Sequence, residues 1–304
     1  MVTVHNFSYG LLNPVLGYAM SCLGAFLGLR CVTRARAHAG PARWRWLALA
    51  SVAIGATGIW TMHFIAMLGF TIPGQTILYN VPLTILSMLI AIVVVGVGLF
   101  IVGYGDGGPV PLVTGGVIVG IGVASMHYLG MAAMNMPDGM HYNMPLFILS
   151  VVIAIVAGTA ALWAGTRVRG IGATIGASLI MGVAVSGMHY TGMAAMRVTP
   201  GSMGPMSGST AASFLLPLLL GVSLATFVLT LTISLSPTED EINADAVLQR
   251  RLDTEFPANG RVEVRAVGQP GSGIAGGPPD TVPRNGGTTP GSPGSLFTKP
   301  PRVG

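Results

Sequence analysis

Seven long apolar runs constrain this chain more than any other feature of its sequence. Each run has about the 20 residues that an α-helix needs to cross the hydrocarbon core of a bilayer. Of the 304 residues, 51% are hydrophobic and only 8% are charged, which is typical of a polytopic membrane protein and not of a soluble domain. We therefore predict an all-α bundle in the lipid bilayer with seven transmembrane helices, at roughly 9–31, 47–69, 81–102, 111–134, 145–165, 171–196 and 211–235.

Arginines beside the short loops predict how this bundle is oriented, because loops rich in Lys and Arg stay in the cytoplasm. Loops at one end hold seven arginines, whereas loops at the other end hold Arg197 alone. We therefore predict an outside N-terminus and a cytoplasmic C-terminus. No Lys or Arg precedes the first span, so we expect a retained helix and not a cleaved signal peptide. The seven arginines are Arg30, Arg34, Arg36, Arg43 and Arg45 after the first span, and Arg167 and Arg169 after the fifth.

The residues after the seventh span differ sharply in composition from the rest. A mixed-charge stretch is followed by runs of Gly, Pro, Ser and Thr, which cannot bury enough apolar surface to fold. We predict a disordered cytoplasmic tail over 237–304. The formal net charge of +5 does not indicate nucleic-acid binding, because the arginines lie in short loops and in this tail, without a basic groove lined by aromatic residues. Cys22 and Cys31 lie nine residues apart on one predicted helix and form neither a disulfide framework nor a metal motif.

The second, fourth and sixth spans carry nearly the same short stretch. Its histidines lie 64 and 62 residues apart, which indicates a repeated unit of about two membrane-spanning helices. A methionine follows each histidine four residues later, on the same helical face. The stretches are Met62-His63-Phe64 with Met67, Met126-His127-Tyr128 with Met131, and Met188-His189-Tyr190 with Met193.

The odd-numbered spans repeat as well. Tyr79-Asn80-Val81-Pro82-Leu83 before the third span reappears in identical register as Tyr142-Asn143-Met144-Pro145-Leu146 before the fifth. We predict three helical hairpins within residues 1–200, with a seventh helix within 201–236 that lies outside the repeat.

Three histidines at matching depth predict a metal site. An imidazole inside the membrane is costly, so it indicates function by default, and three helices could bring three such nitrogens to one point. Imidazole suits several transition metals, and thioether sulfur selects soft ions, above all Cu(I). No Asp or Glu lies in any predicted span, which argues against ions that need oxygen ligands. Copper is therefore the first prediction and zinc the second.

A purely structural role is the alternative for these residues. His and Tyr side chains can hydrogen-bond across helices, and Met commonly fills gaps in apolar cores. Three copies in register favour a ligand site over that alternative. His5 and His141, at the outer ends of spans, are better explained as surface residues, and His38 lies at the cytoplasmic end.

The strings Met126-His127-Tyr128 and Met188-His189-Tyr190-Thr191, with the degenerate Met62-His63-Phe64, resemble the defining motif of the MHYT family of bacterial integral membrane sensors. The resemblance covers about residues 8–200. It implies location in the bacterial cytoplasmic membrane, a metal, proposed to be copper, near the outer face, and sensing of a diatomic gas such as oxygen, carbon monoxide or nitric oxide. The ligands it implies are Met62, His63, Met126, His127, Met188 and His189, with Phe64, Tyr128 and Tyr190 beside them.

The predicted function is that of a metal-dependent sensor and not of an enzyme. Many members of the family are fused to domains that make or degrade cyclic dinucleotides, for which 304 residues leave no room, so we expect the signal to pass through the seventh span, the tail or a separate cytoplasmic partner. A copper transporter or membrane metallochaperone is the first alternative, and a membrane oxidoreductase or haem protein is the second. A retinal receptor is excluded, since the only lysine, Lys299, lies in the tail.

Overall fold

The computed structural model describes residues 8–73, 75–105, 108–136, 139–199, 207–235, 247–252 and 254. Within them, seven helices are long and apolar enough to cross a membrane, which confirms the all-α fold and makes the chain a multi-pass membrane protein. The helices are α1 Leu12–Ala37, α2 Gly40–Met67, α3 Val81–Tyr104, α4 Pro109–Ala132, α5 Met144–Arg167, α6 Ile171–Ala195 and α7 Ala211–Leu235.

The connection between α1 and α2 is much shorter than predicted. Only His38 and Ala39 separate the two helices, so the five arginines assigned to this loop lie on helix ends instead. Arg36 donates hydrogen bonds to the carbonyls of Thr166 and Val168 at the end of α5. Arg43 donates to the Gly103 carbonyl near the end of α3. These cations therefore neutralise the negative C-terminal ends of neighbouring helices, while the charge stays at the end of the bundle where it was predicted.

Helices α1 to α6 form a closed ring. α3 packs between α2 and α4, α5 packs between α4 and α6, and α1 packs between α6 and α2. The three histidine-bearing helices also contact one another across the ring, α2 with α4 and α4 with α6. α2 is the most buried of the seven.

Glycines on facing helices explain part of this packing. The backbone at Gly24 lies against Gly58, and a side chain at Gly120 would overlap Ile155, so α1 approaches α2 and α4 approaches α5 closely. Gly172 and Gly176 make no such approach, since nothing in the described part of the chain lies within 4 Å of a Cβ placed at either. α6 approaches α1 at Gly182 instead, against Tyr18 and Cys22.

The helix α2 changes geometry immediately before its histidine. Residues Ala53–Trp60 are π-helical and all eight are buried, whereas α4 and α6 are α-helical throughout. A Cβ at Gly55 would lie 2.7 Å from the Ala91 carbonyl oxygen, so this widened turn is pressed against α3. π-Helical turns are rare in proteins as a whole, but those that occur often lie at functional sites.

The seventh helix packs outside the ring, against α1 and α2. The hydroxyls of Thr57 in the π-helical segment and Thr226 in α7 lie 2.8 Å apart and are buried. α7 therefore contacts the ring at the widened part of α2.

Short strands cover the ring at the end where α2, α4 and α6 finish. β1 (Leu78–Tyr79) pairs with β2 (Met134–Asn135), and β3 (Gly139–Tyr142) pairs with β4 (Met196–Thr199), both antiparallel. Tyr79 also bridges Ser209, before α7, and burial raises the pKa of its phenol to about 12. We call these four strands the roof.

The repeated Tyr-Asn-x-Pro sequence forms the junction between the roof and the odd helices. The Asn80 and Asn143 side chains accept the backbone N–H groups of Leu83 and Leu146, so each asparagine caps its helix. Their own backbone N–H groups donate to the carbonyls of Ala133 and Ala195, at the ends of α4 and α6. Each odd helix is thus tied to the histidine helix that follows it, as the predicted hairpins require.

Candidate metal centre

The three repeated histidines meet inside the ring. His63, His127 and His189 are each at most 1% exposed. The Nδ1 atom of His63 lies 3.0 Å from Nδ1 of His127 and 3.0 Å from Nδ1 of His189. Their candidate ligand atoms all lie within 4.8 Å of one another. Three helices therefore bring together three nitrogen donors from histidines that lie more than sixty residues apart in the chain.

The imidazole rings are arranged edge to face around this point. Their centroids are 4.8–5.1 Å apart and their planes are inclined by 77–87° to one another. This arrangement turns the Nδ1 atoms inward. The opposite nitrogens point outward, where Nε2 of His63 and Nε2 of His127 are buried and have no hydrogen-bond partner among the described residues.

Two glycines hold the outward edges of these rings. A Cβ at Gly130 would overlap Nε2 of His63, and a Cβ at Gly192 would overlap Nε2 of His127. Each glycine lies three residues after the histidine of the next repeat. One helix therefore carries a candidate ligand and also the glycine that leaves space for the imidazole of the preceding repeat. We call the space at Gly130 and at Gly192 the seat of that imidazole. These glycines were not predicted as site residues, although the shared His-x-x-Gly spacing at 127–130 and 189–192 is visible in the sequence.

Hydrogen bonding among the histidines cannot satisfy all three Nδ1 atoms. A neutral imidazole nitrogen has either one proton to donate or one lone pair to accept with. His63 Nδ1 contacts both neighbours at 3.0 Å, so its single proton or lone pair would be divided between two partners. Three nitrogens bound to one ion at about 2.0–2.1 Å lie about 3.3–3.6 Å apart, so only a small expansion would admit a cation. The donor set therefore fits a metal.

Each flanking aromatic ring packs against its own histidine. Phe64, Tyr128 and Tyr190 lie edge-on to the preceding imidazole, at centroid distances of 4.8, 5.0 and 4.9 Å. The Tyr128 hydroxyl lies 2.6 Å from the Ser150 hydroxyl on α5. These rings close the cluster from the side.

Phe64 has no hydroxyl, and a different residue makes the equivalent contact in the first repeat. Ser87 on α3 corresponds to Ser150 on α5, and it accepts a hydrogen bond of 3.0 Å from the Trp60 indole N–H. Trp60 lies one turn before Phe64, and the two rings pack at 4.7 Å. The missing phenol is therefore replaced by an indole on the same helix.

The predicted thioether ligands are all buried. Met62 packs towards α1, since its Cγ lies 3.3 Å from a Cβ placed at Gly17. Met188 lines an apolar cavity beside the histidines. A thioether contribution to the metal stays a prediction for the six methionines, Met62, Met67, Met126, Met131, Met188 and Met193.

The remaining candidate residues lie elsewhere. His38 lies at the end of α1, where its Nδ1–H donates a hydrogen bond of 2.8 Å to the Arg34 carbonyl oxygen, and His141 is part of β3 in the roof. His5 lies outside the described residues. Cys22 and Cys31 are free thiols on α1. Within the described part of the chain, His63, His127 and His189 form the one group of three or more His, Cys, Asp or Glu residues close enough to share an ion.

A comparison with known protein families supports the resemblance based on the Met-His-Tyr motif. A family model described as MHYT, bacterial signalling protein N terminal repeat, matches residues 57–115, 120–177 and 182–242. Each of the first two matches begins in one histidine helix and ends near the start of the next, and the third runs through α7. No solved structure matches this chain.

Three relatives are signalling proteins. The chain is 35% identical over 75% of its length to the bifunctional diguanylate cyclase/cyclic di-GMP phosphodiesterase MucR of Pseudomonas aeruginosa, of which the match covers 34%. It is 34% identical over 64% of its length to the cyclic di-GMP phosphodiesterase NbdA of the same organism, of which 25% is covered. It is 31% identical over 59% of its length to the signaling protein YkoW of Bacillus subtilis, of which 23% is covered. The chain thus spans about a third or less of these relatives, and the family matches, which cover more than half of its residues, show that it belongs to the MHYT family of membrane sensor domains in bacterial signalling proteins.

Proposed function

We propose that this protein is a copper-dependent membrane sensor in which His63, His127 and His189 hold the ion. The single observation that carries the proposal is the convergence of their Nδ1 atoms in a buried site. Imidazole nitrogen suits copper, and nearby thioether sulfur favours Cu(I) over Zn²⁺. Zinc is the second choice. When bound, copper would supply a redox-active centre that also binds small gas molecules.

The surrounding residues orient the three imidazoles and keep water out. Gly130 and Gly192 leave room for the outward edges of two rings, and Phe64, Tyr128 and Tyr190 close the sides. A neutral imidazole that binds an ion through Nδ1 carries its proton on Nε2. The Nε2 atoms of His63 and His127, which lie against the two glycines, are buried away from water. The sensed quantity is the redox state of the ion or a diatomic gas that reaches it.

The output is proposed from the relatives. MucR and NbdA are named as enzymes of cyclic di-GMP metabolism, and the present chain matches only part of each. We infer that this chain acts as the sensing part of such a system and signals to an enzyme of that class on the cytoplasmic side. α7, which contacts α2 through Thr57 and Thr226, is a direct route from the site to the C-terminal residues.

The test is metal analysis of the purified protein, combined with substitution of each histidine. We expect about one copper per chain in the wild type. His63→Ala, His127→Ala and His189→Ala should each lower occupancy sharply, because each removes one of three donors. His38→Ala is the matched control and should leave occupancy unchanged, since His38 lies at the end of α1, where it hydrogen-bonds to the Arg34 carbonyl.

A purely structural role for the histidines predicts a different result. The wild type would then take up no stoichiometric Cu(I) or Zn²⁺, while the same substitutions would still lower the thermal stability of the detergent-solubilised protein. Metal-free wild type that cannot be loaded with either ion would end the proposal. Stoichiometric zinc with no affinity for Cu(I) would replace copper by the second choice.

The proposed orientation, with the N-terminus outside, has its own test. Gln75 lies between α2 and α3, and Asp106 lies between α3 and α4. In a background without Cys22 and Cys31, a thiol reagent that cannot cross the membrane should label Gln75→Cys and not Asp106→Cys in intact cells. Labelling of position 106 alone would invert the orientation and place the metal centre near the cytoplasm.

A further inference from the structure

An apolar cavity of about 50 Å³ lies inside the ring. It is bounded by side chains from α2 through α6, and every one of them is a hydrocarbon or a thioether. The function proposed above does not use this space. Its position relative to the histidines shows what it can do.

The cavity lies one helical turn from the histidine cluster. Ile59, Val123 and Val185 all line it. They precede His63, His127 and His189 by four residues, so each lies one helical turn from its histidine on the same face. Met188, next to His189, also lines the cavity. The space therefore continues the cluster towards the ends where the three helices begin.

The other side of the cluster is closed by the roof. Tyr79, Met134, Met196 and Val198 in its strands are buried. Asn80 and Asn143 tie the roof to the ends of α4 and α6 by backbone hydrogen bonds. A molecule beside the histidines thus has apolar space on the cavity side and packed strands on the roof side.

The chemistry of the cavity selects a narrow class of ligand. A site needs about 10–15 Å³ to admit one water, but water also needs two to four polar partners, which these side chains do not offer. Apolar cavities stay dry and take up small apolar molecules. An ion or a polar metabolite is excluded by the same lining. The volume is sufficient for a molecule of two or three heavy atoms.

We propose that this cavity is the docking site for a small uncharged gas molecule, of the class of oxygen, carbon monoxide and nitric oxide, on its way to the histidine-bound ion. The inference rests on the proposed copper site. Four of the five residues that α5 contributes to the lining are alanine or glycine, and two of them, Ala157 and Ala161, are half-buried. These small residues set the space that the gas occupies.

The test fills the cavity from a helix that carries no histidine. Ala157→Leu adds volume at the cavity wall, whereas the matched control Ala160→Leu makes the same change at an exposed position of the same helix. Both variants are loaded with Cu(I), their metal content is measured, and carbon monoxide binding is followed by infrared absorption. A second measurement, xenon uptake by the metal-free protein followed by NMR, does not depend on the ion.

We expect both variants to keep their copper. Ala157→Leu should weaken carbon monoxide binding by about tenfold or more and abolish the xenon signal, because the added side chain occupies the cavity. Ala160→Leu should match the wild type in both measurements. If Ala157→Leu fails to fold, Ala161→Val with Ala160→Val as control makes the same comparison with a smaller change.

The outcomes separate this inference from the proposed function. Copper-loaded Ala157→Leu that binds carbon monoxide as the wild type does would overturn the cavity assignment and leave the metal site standing. Wild type that takes up no copper would end the proposed function, and the xenon measurement would then decide the cavity alone. No xenon uptake by the wild type would overturn the docking site.

Discussion

The first repeat and the second repeat present the same imidazole to the same point with different supports. In the second repeat, Tyr128 on an unbroken α-helix contacts Ser150. In the first, the helix is π-helical over Ala53–Trp60, and Trp60 contacts Ser87 in place of the phenol. Both repeats therefore place their histidine at the same point. The hydrogen bond that joins the histidine helix to the serine of the next helix can come from either of two aromatic residues.

The seats for the imidazoles differ between repeats in the same way. Gly130 and Gly192 each lie three residues after a histidine and leave room for the ring of the preceding repeat. The corresponding residue of the first repeat is Ala66, which is buried. Two of the three seats therefore require the absence of a side chain.

The largest effect is expected from filling one of these seats. Gly192→Ala should displace the His127 ring, abolish copper binding and destabilise the fold by about 1–3 kcal/mol, the usual cost of overpacking. Metal content and thermal unfolding in detergent are the measurements.

Gly187 on the same helix is the matched control for this change. Nothing in the described part of the chain lies within 4 Å of a Cβ placed there, so Gly187→Ala should keep its metal and gain about 0.5–1 kcal/mol from reduced backbone entropy. Full copper occupancy in Gly192→Ala would show that the glycine seats do not position the histidines.

A smaller effect is expected when the Trp60–Ser87 hydrogen bond of the first repeat is replaced by a tyrosine–serine contact like that of Tyr128 with Ser150 in the second. Phe64→Tyr alone should destabilise, because Ser87 is already bonded to Trp60 and the new hydroxyl lacks that partner. Adding Trp60→Phe frees Ser87. The two changes should therefore be less costly together than the sum of the single changes, with a coupling of about 0.5–1.5 kcal/mol, the net value of one hydrogen bond.

A double-mutant cycle of unfolding free energies measures this coupling. Tyr128→Phe supplies the reference value for the second repeat, since it removes the contact with Ser150. Strictly additive effects at positions 60 and 64 would mean that the indole and the phenol do not compete for the same hydrogen bond with Ser87.

The smallest effect is expected at the contact between the first repeat and α7. Thr226→Val removes the partner of Thr57 and should cost about 0.6 kcal/mol, the average for hydrogen bonds between membrane helices. Thr232→Val, at an exposed position of α7 where the hydroxyl bonds the Val228 carbonyl of its own helix, is the control.

The functional consequence at this contact should exceed its effect on stability. If α7 carries the proposed signal to a cyclic di-GMP enzyme, Thr226→Val should alter the cellular cyclic di-GMP level after copper addition, while metal content stays at the wild-type level. A response identical to that of Thr232→Val would remove α7 from the proposed signalling route.

The sequence was sufficient for the features that depend on local pattern and on the surrounding solvent. All seven spans were predicted because hydrocarbon requires long apolar helices, and the observed helices differ from them by a few residues, apart from the ends next to His38 and Ala39. The histidines stood out because imidazoles are rare in such helices and because three copies occur in register. The roof strands were not predicted, since two- to four-residue strands leave almost no periodic signal.

The contacts by which α1 closes the ring became visible only in the structure. The repeat places the first span in a hairpin and the seventh span outside the three hairpins, but it does not say which side chains join α1 to α6 and α2. The third family match runs from α6 into α7, yet the place between α6 and α2 is filled by α1, and α7 lies outside. The close approach of Gly24 to Gly58, and of Gly182 to Tyr18 and Cys22, gives α1 this place.

The seven-helix membrane bundle and its three equivalent histidines follow from the amino-acid sequence, because apolar length and helical spacing are properties of each segment alone. The facing Nδ1 atoms, the two glycines against the outer ring edges and the apolar cavity one turn away arise only when the helices pack together. These features depend on the rotations and close approaches of helices whose contacting residues lie more than sixty positions apart in the chain, and such packing is set by the shapes of all the side chains between them.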